Sequence, residues 1–470
     1  MDSPGRNHRR RQSTSISRVR IVQGSCWSCR KRRVKCDLTK PSCVRCTQIG
    51  ATCDYNNRLI RWSSKHTRPV SPSYQILDRG SQLAESLSIN EKRALAYFQG
   101  RFWPLMSTAS TPCAPPVGLA LEQRVLLLAI CLIADRHRVL QDGRNSLRVP
   151  QIKRVECLAA VRDQLNEFCA SGKGPMVELL LSVLMLYFHD GYLECAEKSA
   201  STSSHQAGAR AIIDKLGGGE AVLDIGPECL HMLVSEFAST DLTTTMLRGG
   251  RPYFSPGIWD RIEQRSVWWD REPLAQCSLA SVFGHISSMV HYHESINSGL
   301  EELRPECIRQ FEFSLTPSYA THRSQDLYAS EMFGWDETAA SAEAVHASSL
   351  IRSFQHAALI YLYRAICGLP THHPLIQQHV MPCLSSISGI ERPSRVLNCV
   401  ILPLLIAGAH VQSIKDQKCV VNMVNSIYSE IKFASVQLVS NVLDSVWRLD
   451  SNDLSWFEMF VELGPDTVVL

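Results

Sequence analysis

The sequence predicts two unlike parts: a small module within residues 25–55, too short to fold around an apolar core of its own, and a large all-α body from residue 86 onward. Three observations carry this. Six of the 18 cysteines fall within 28 residues, spaced C-x2-C-x6-C-x6-C-x2-C-x6-C. Charge is split along the chain, with 17 Lys+Arg against 3 Asp+Glu in residues 1–70 and 32 against 42 in the remainder. Beyond residue 86, apolar side chains recur at helical spacing and few stretches alternate with period two.

A hydrophobic content of 45% over 470 residues is ample for at least one large core. A strongly basic end on a mildly acidic body suggests an arm for a polyanion. The opening MDSPGRNHRRRQSTS lacks the apolar stretch of a secretory signal, and the longest apolar run, 125–134, is about half of what a bilayer span needs. The expectation is a protein inside the cell and off the membrane. Thiols stay reduced there, so the cysteines are not expected to form a disulfide framework. The scattered ones, such as Cys131, Cys169 and Cys399, read as small buried hydrophobes.

The six grouped cysteines are Cys26, Cys29, Cys36, Cys43, Cys46 and Cys53, and a shift of 17 residues lays the first three on the last three. Ser25 and Ser42 keep the same offset, each where a helix N-cap would sit. Two similar loop-helix units are implied, each presenting three thiolates. Zinc takes four ligands in a tetrahedron, with sulfur at about 2.3 Å. Six thiolates serve two zinc ions only if two of them bridge, and the resulting charge of about −2 is one that neighbouring Lys and Arg would offset. With so little apolar content, metal binding has to supply the folding free energy.

The cysteine spacing, the basic run RKRRVKC and the KPSC loop with Pro41 together resemble the fungal zinc binuclear-cluster DNA-binding domain. The resemblance implies two Zn2+ ions per chain. It implies that Cys26 and Cys43 bridge them, that Cys29 and Cys36 complete one site, and that Cys46 and Cys53 complete the other. A disulfide knot and an unrelated zinc ribbon are the alternatives weighed against it.

The repeat also indicates which half meets DNA. Arg30, Lys31, Arg32, Arg33 and Lys35 correspond to Thr47, Gln48, Ile49, Gly50 and Thr52, so the scaffold is duplicated but the charge is not. In the family resembled, the pair three and four residues before the third cysteine reads a CGG-like triplet in the major groove. Here that pair is Arg32 and Arg33. A guanidinium fork fits guanine O6 and N7, contributing about 1–3 kcal/mol of discrimination. Arg30, Lys31, Lys35 and Arg45 are assigned to phosphates, which position the module without choosing sequence. Arg9, Arg10, Arg11, Arg18 and Arg20, in an N-terminal arm over 1–24, suit nuclear import or further DNA contact.

Residues 56–85 read as a flexible linker, polar and basic with Pro69 and Pro72. Only Leu83 and Leu87 suggest a heptad there, too short for a coiled coil, so a homodimer is left open. The body, 86–470, opens on Ser88 and Glu91 as a capping box ahead of Leu95 and Phe98. Pro150 suits the first turn of a helix whose apolar face would run through Ile152, Val155, Leu158, Leu165 and Phe168. PMVELLLSVLMLYF reads as a fully buried helix, and HQAGARAIIDKLGGG as one ending in glycine. Further apolar helical runs lie at 228–247, 272–297, 343–368, 395–410 and 418–448, with a kink expected at Pro403.

HQAGARAII, STDLTTTMLRGGRPYF and a late VWRLD make the body resemble the fungus-specific regulatory domain that follows such clusters. An enzyme is the rival class, yet no G-x-S-x-G elbow, P-loop or H-E-x-x-H helix is present. His189-Asp190 and HYHE at 291–294 could suggest metal chemistry, but a His and a carboxylate close in sequence are common on ordinary helices and no third ligand is apparent, so a structural role is the reading. An RNA binder would carry stacking aromatics among its basic residues, where only Trp27 and Tyr55 occur. A zinc scaffold whose body is an enzyme or interaction module is the other reading. The acidic-aromatic end, 449–470, has the composition of an activation segment, but the same aromatics at helical spacing serve better as core. The expectation is a nuclear regulator of transcription by RNA polymerase II, not an enzyme. Its partners are double-stranded DNA and the transcription machinery or its co-regulators, and its target is a single pathway or gene cluster.

Overall fold

The structure is a computed structural model that describes residues 26, 28–29, 32, 34–53, 87–109, 112–143, 151–171, 174–197, 200–265, 277–317, 342–449 and 454–470. It comprises two compact units, 1–73 and 74–470. The arm over 1–24, the linker over 56–85 and the residues Ser25, Trp27, Tyr55, Leu83 and Pro150 lie outside the described residues. Every regular element described is helical.

The second unit has one continuous core running from Leu87 to Leu470. Leu87 is buried in it, so it is a core residue of the body. Helix Ile89–Tyr97 starts on the expected capping box: the Ser88 hydroxyl accepts from Glu91 N, and the Glu91 carboxylate accepts from Ser88 N at 2.9 Å. Helix Arg124–Gln141 packs on it, on Gln151–Ser171 and on Met176–Phe188, which in turn packs on Thr202–Lys215. Met176–Leu193 is long and apolar enough to cross a membrane, yet 83% of it is buried inside the body, as a core helix must be. Thr202–Lys215 stops where Gly217 and Gly218 adopt φ of 100° and 96°, which a side chain would resist.

Four local expectations are corrected by tertiary contacts. In Gln151–Ser171, Ile152 and Val155 face solvent, 76% and 64% exposed, while Arg154, Cys157 and Val161 are buried. Rotation of the helix is set by Arg154, whose guanidinium donates to both oxygens of buried Asp190. The run at 272–297 yields a helix over Leu279–Asn297, opened by the Ser278 side chain accepting from Ser281 N. Pro403 is no kink: it is the third residue of helix Ile401–Ala409, in the first turn, where its missing N–H loses no intrahelical bond. The run at 418–448 is two helices, Ile414–Ile431 and Ala434–Arg448, separated at Lys432 with φ 54°.

The last residues stitch this body together. Trp456 Nε1 donates to Met246 O at 2.7 Å, Thr243 Oγ1 to Val469 O at 2.8 Å, and Val468 N to Gly191 O at 3.1 Å. A Cβ on Gly191 would lie 2.5 Å from Val468 Cγ2, so only glycine admits this approach. Arg248 donates to the carbonyls of Pro465 and Thr467, while Ile401 N and Leu402 N donate to Leu470 O, capping a helix that has no side-chain cap. Trp456 and Phe460 are 3% and 1% exposed. Trp456 and Phe460 are therefore core residues, with Phe457 partly buried against the core.

Cys131 and Cys399 are buried as expected, and the side chain of Cys169 lies outside the described set. Asp190 is the centre of a buried ionic group. His189 Nδ1 lies 2.9 Å from Oδ1 and His205 Nε2 3.2 Å from Oδ2, while Arg136 Nε is 3.4 Å from neighbouring Glu194. Burial alone would raise the Asp190 carboxyl, but hydrogen bonds from Arg154, His189 and His205 hold it well below the usual carboxylate range. In Asp241, on helix Glu228–Arg248, the carboxylate accepts from Gln206, Arg210 and Tyr253 N, which accounts for the aspartate of the STDLTTT stretch.

Asp190→Ala should destabilise the body by about 3–5 kcal/mol, because it leaves Arg154 charged and buried. Urea unfolding of the full chain measures this. Trp456→Ala should cost a similar ~3–5 kcal/mol through cavity formation. Burial pushes His137, His356, His379 and His410 down to about 4. The unfolded chain, titrating near 6.5, binds more protons below that pH, so stability should fall as pH drops from about 6.5 to 4. A urea midpoint unchanged between pH 7 and pH 5 would contradict the burial of these four as neutral rings.

Candidate metal centre

The first unit is organised by sulfur. Backbone at Ser28–Cys29 is helical, and the second half carries the short helix Val44–Thr47. Cys26, Cys29, Cys43 and Cys46 are wholly buried and Cys36 is 3% exposed, in a segment whose other described residues are mostly at the surface. The Sγ separations are 3.7 Å for Cys26–Cys43, 3.6 Å for Cys26–Cys46, 3.6 Å for Cys29–Cys43 and 3.9 Å for Cys29–Cys46. Thiolates that share a tetrahedral zinc at about 2.3 Å stand about 3.8 Å apart, so these separations suit zinc, and they place Cys29 and Cys46, expected on different ions, in one four-sulfur group.

Cys36 lies beside Cys43, their ligand atoms and that of Asp37 all within 4.8 Å. Cys53 Sγ accepts from Cys43 N at 3.2 Å. All six cysteines singled out in the sequence are thus brought together. Burial pushes the thiols of Cys26, Cys29, Cys43 and Cys46 up, whereas the Cys43 N–H lowers that of Cys53. Six thiolates this close repel one another. A coordinated dication removes that repulsion and holds them deprotonated.

Helix Val44–Thr47 starts at Cys43, with no capping bond from its own side chain, so Ser42 is not the N-cap expected of it. The orphan amide of Val44 is met instead by Asp37 Oδ2 at 3.1 Å, an oxygen that also accepts from Thr39 Oγ1 at 2.5 Å. These bonds, Thr39's first, hold the Asp37 carboxyl well below its usual range. Sequence reasoning missed Asp37. Its one available signal was an acid placed directly after the third cysteine in a basic run. In the connecting loop the Lys40–Pro41 peptide is cis. Ser28 Oγ donates to Thr52 O, joining the two halves.

Of the six basic residues assigned to DNA, Arg30, Lys31 and Arg33 lie outside the described residues. Lys35 and Arg45 are exposed and make no ion pair among the described residues. Arg32 is turned onto the cluster: Nη2 is 3.5 Å from Cys46 Sγ and 4.0 Å from Cys29 Sγ, and Nε donates to Ser28 O at 3.2 Å.

Elsewhere, His189, Asp190 and Glu194 also bring three ligand atoms within 4.8 Å. Their carboxylates are already matched by Arg154 and Arg136, which makes the group an ionic tie between helices. In HYHE, His291 Nδ1 bonds Ser287 O at 2.8 Å and His293 Nδ1 bonds Tyr361 OH at 2.7 Å, both structural contacts.

Comparison with known proteins agrees with both units. Residues 24–63 match the fungal Zn(2)-Cys(6) binuclear cluster domain, and residues 82–470 match the fungal specific transcription factor domain. Among similar proteins are the oleate activated transcription factor 3 of Kluyveromyces lactis, 32% identical over 16% of this chain, and the arginine metabolism regulation protein II of Saccharomyces cerevisiae, 47% identical over 10%. The aflatoxin biosynthesis regulatory protein of Aspergillus flavus is 32% identical over 22% of the chain. These matches span 12%, 5% and 20% of the relatives' own lengths. No solved structure matches the chain. The family descriptions and the relatives' names are those of transcription regulators, which are not enzymes. The chain belongs to the family of fungal transcription regulators in which a zinc-binding Zn(2)-Cys(6) cluster domain precedes the fungal specific transcription factor domain.

Proposed function

We propose that the chain is a nuclear, sequence-specific regulator of RNA polymerase II genes that reads CGG-like triplets through the first half of its cluster. The observation that carries this is a sulfur group with zinc-fitting separations attached to a basic run found in only one of two repeated halves. A duplicated scaffold with unduplicated charge has one face for a polyanion and one buttress.

The proposed ion count is two, with Cys26 and Cys43 bridging, Cys29 and Cys36 completing one site, and Cys46 and Cys53 the other. When bound, zinc supplies rigidity and charge balance, not reaction chemistry. The residues 30–35 would enter the major groove, with guanidinium forks on guanine and Lys35 and Arg45 on phosphates. The relatives named for arginine metabolism and aflatoxin biosynthesis each govern one pathway by name, and a pathway- or gene-cluster-specific role fits this chain too. The helical body would meet co-regulators or a second copy.

Chelation should abolish binding to a CGG-containing duplex, and added zinc should restore it. Arg33→Ala should cost about 1–3 kcal/mol of preference over a scrambled duplex. Lys35→Ala should weaken all duplexes alike and lower the salt slope by about 1. Wild-type protein that binds both duplexes equally in saturating zinc would rule out the base-reading function.

A further inference from the structure

Among the described residues, Arg32 is a basic residue whose side chain is tied to the sulfur group. Its Nη2 approaches one sulfur from each half of the module, Cys29 of the first and Cys46 of the second. The neighbouring Nε is committed to the carbonyl of Ser28. A guanidinium binds guanine through two adjacent N–H groups, and here the Nε–Nη2 edge of Arg32 faces the cluster although the residue itself is exposed, so one of its two edges is committed to the sulfur group. The corresponding residue of the second half is Ile49, 55% exposed, which has no donor to offer. One arginine therefore serves both halves.

We infer that Arg32 is a positioning residue of the zinc cluster and not a base reader. The inference rests on the zinc-cluster reading above and concerns only which job this side chain performs. Hydrogen bonds from a charged fork to coordinated thiolates offset part of the cluster's net negative charge and fix the sulfurs' orientation. Outer-shell partners of this kind are typically worth about 10–100-fold in metal affinity. Lysine keeps the charge but has no planar fork to reach two sulfurs and a carbonyl together. Base reading then falls to other residues of the run, Arg33 foremost.

The test uses full-length protein carrying Arg32→Gln, Arg32→Lys or Arg33→Ala. Two quantities are read: zinc retention against a chromophoric chelator, and preference for a CGG-containing over a scrambled duplex in saturating zinc. Arg32→Gln should lose zinc about 10-fold or more readily, with Arg32→Lys between it and wild type, while both keep the CGG preference. Arg33→Ala should retain zinc and lose the preference. If Arg32→Gln needs about 10-fold more free zinc than wild type to fold, that also supports the bracing role. Wild-type zinc retention in Arg32→Gln overturns it, whether or not base preference changes. Should wild-type protein show no sequence preference, the base-reading function fails on its own and the chelator competition still decides the role of Arg32.

Discussion

The described part of the N-terminal unit depends on sulfurs being held at metal-binding distance, with no apolar core among its described residues besides the cysteines and Val34. Among its described residues the buried ones are Cys26, Cys29, Cys36, Cys43 and Cys46, with Val34 and Cys53 packed partly buried beside them. The usual stabilising term, apolar burial, is nearly absent, and ligation has to replace it. That constraint explains why the remaining contacts are polar ties between the two halves: Ser28 to Thr52, Asp37 to Val44 and Arg32 to Cys29 and Cys46. Each fixes how one loop-helix unit faces the other. The module can then carry a concentrated positive charge that an apolar fold of this size would not support.

The body solves the opposite problem. It has abundant apolar surface, and its specificity comes from a few buried polar groups and a terminal segment that cannot be satisfied locally. Asp190 needs Arg154, His189 and His205 from three places in the chain. Asp241 needs Arg210, Gln206 and the backbone of Tyr253. Residues 464–470 bring their carbonyls to Arg248, Thr243 and the start of helix Ile401–Ala409. Such contacts tolerate one arrangement of helices and penalise others, since each misplacement leaves a buried charge or carbonyl without a partner.

Arg32 joins the two themes. Its sequence context, inside a basic run beside the third cysteine, says only that it is positively charged and near the metal. Charge of that sign can be attracted outward to phosphate and guanine or inward to thiolate. The geometry favours inward, because two sulfurs from different halves and the Ser28 carbonyl converge on one guanidinium edge.

The amino-acid sequence by itself determined the six-cysteine group, the two-unit organisation and the helical character of the body. Those features are written in local spacing: the 17-residue repeat of cysteines, the Ser88 and Glu91 capping box, and the glycines after Lys215. Tertiary structure alone decided which face of Gln151–Ser171 turns inward and where the run at 418–448 breaks. It also decided that Asp37, not Ser42, meets the amide at the start of Val44–Thr47. The reason is the same in each case. Helical periodicity and metal spacing are satisfied within a few residues, whereas a buried charge or an orphan amide is satisfied by whichever distant group the fold brings near.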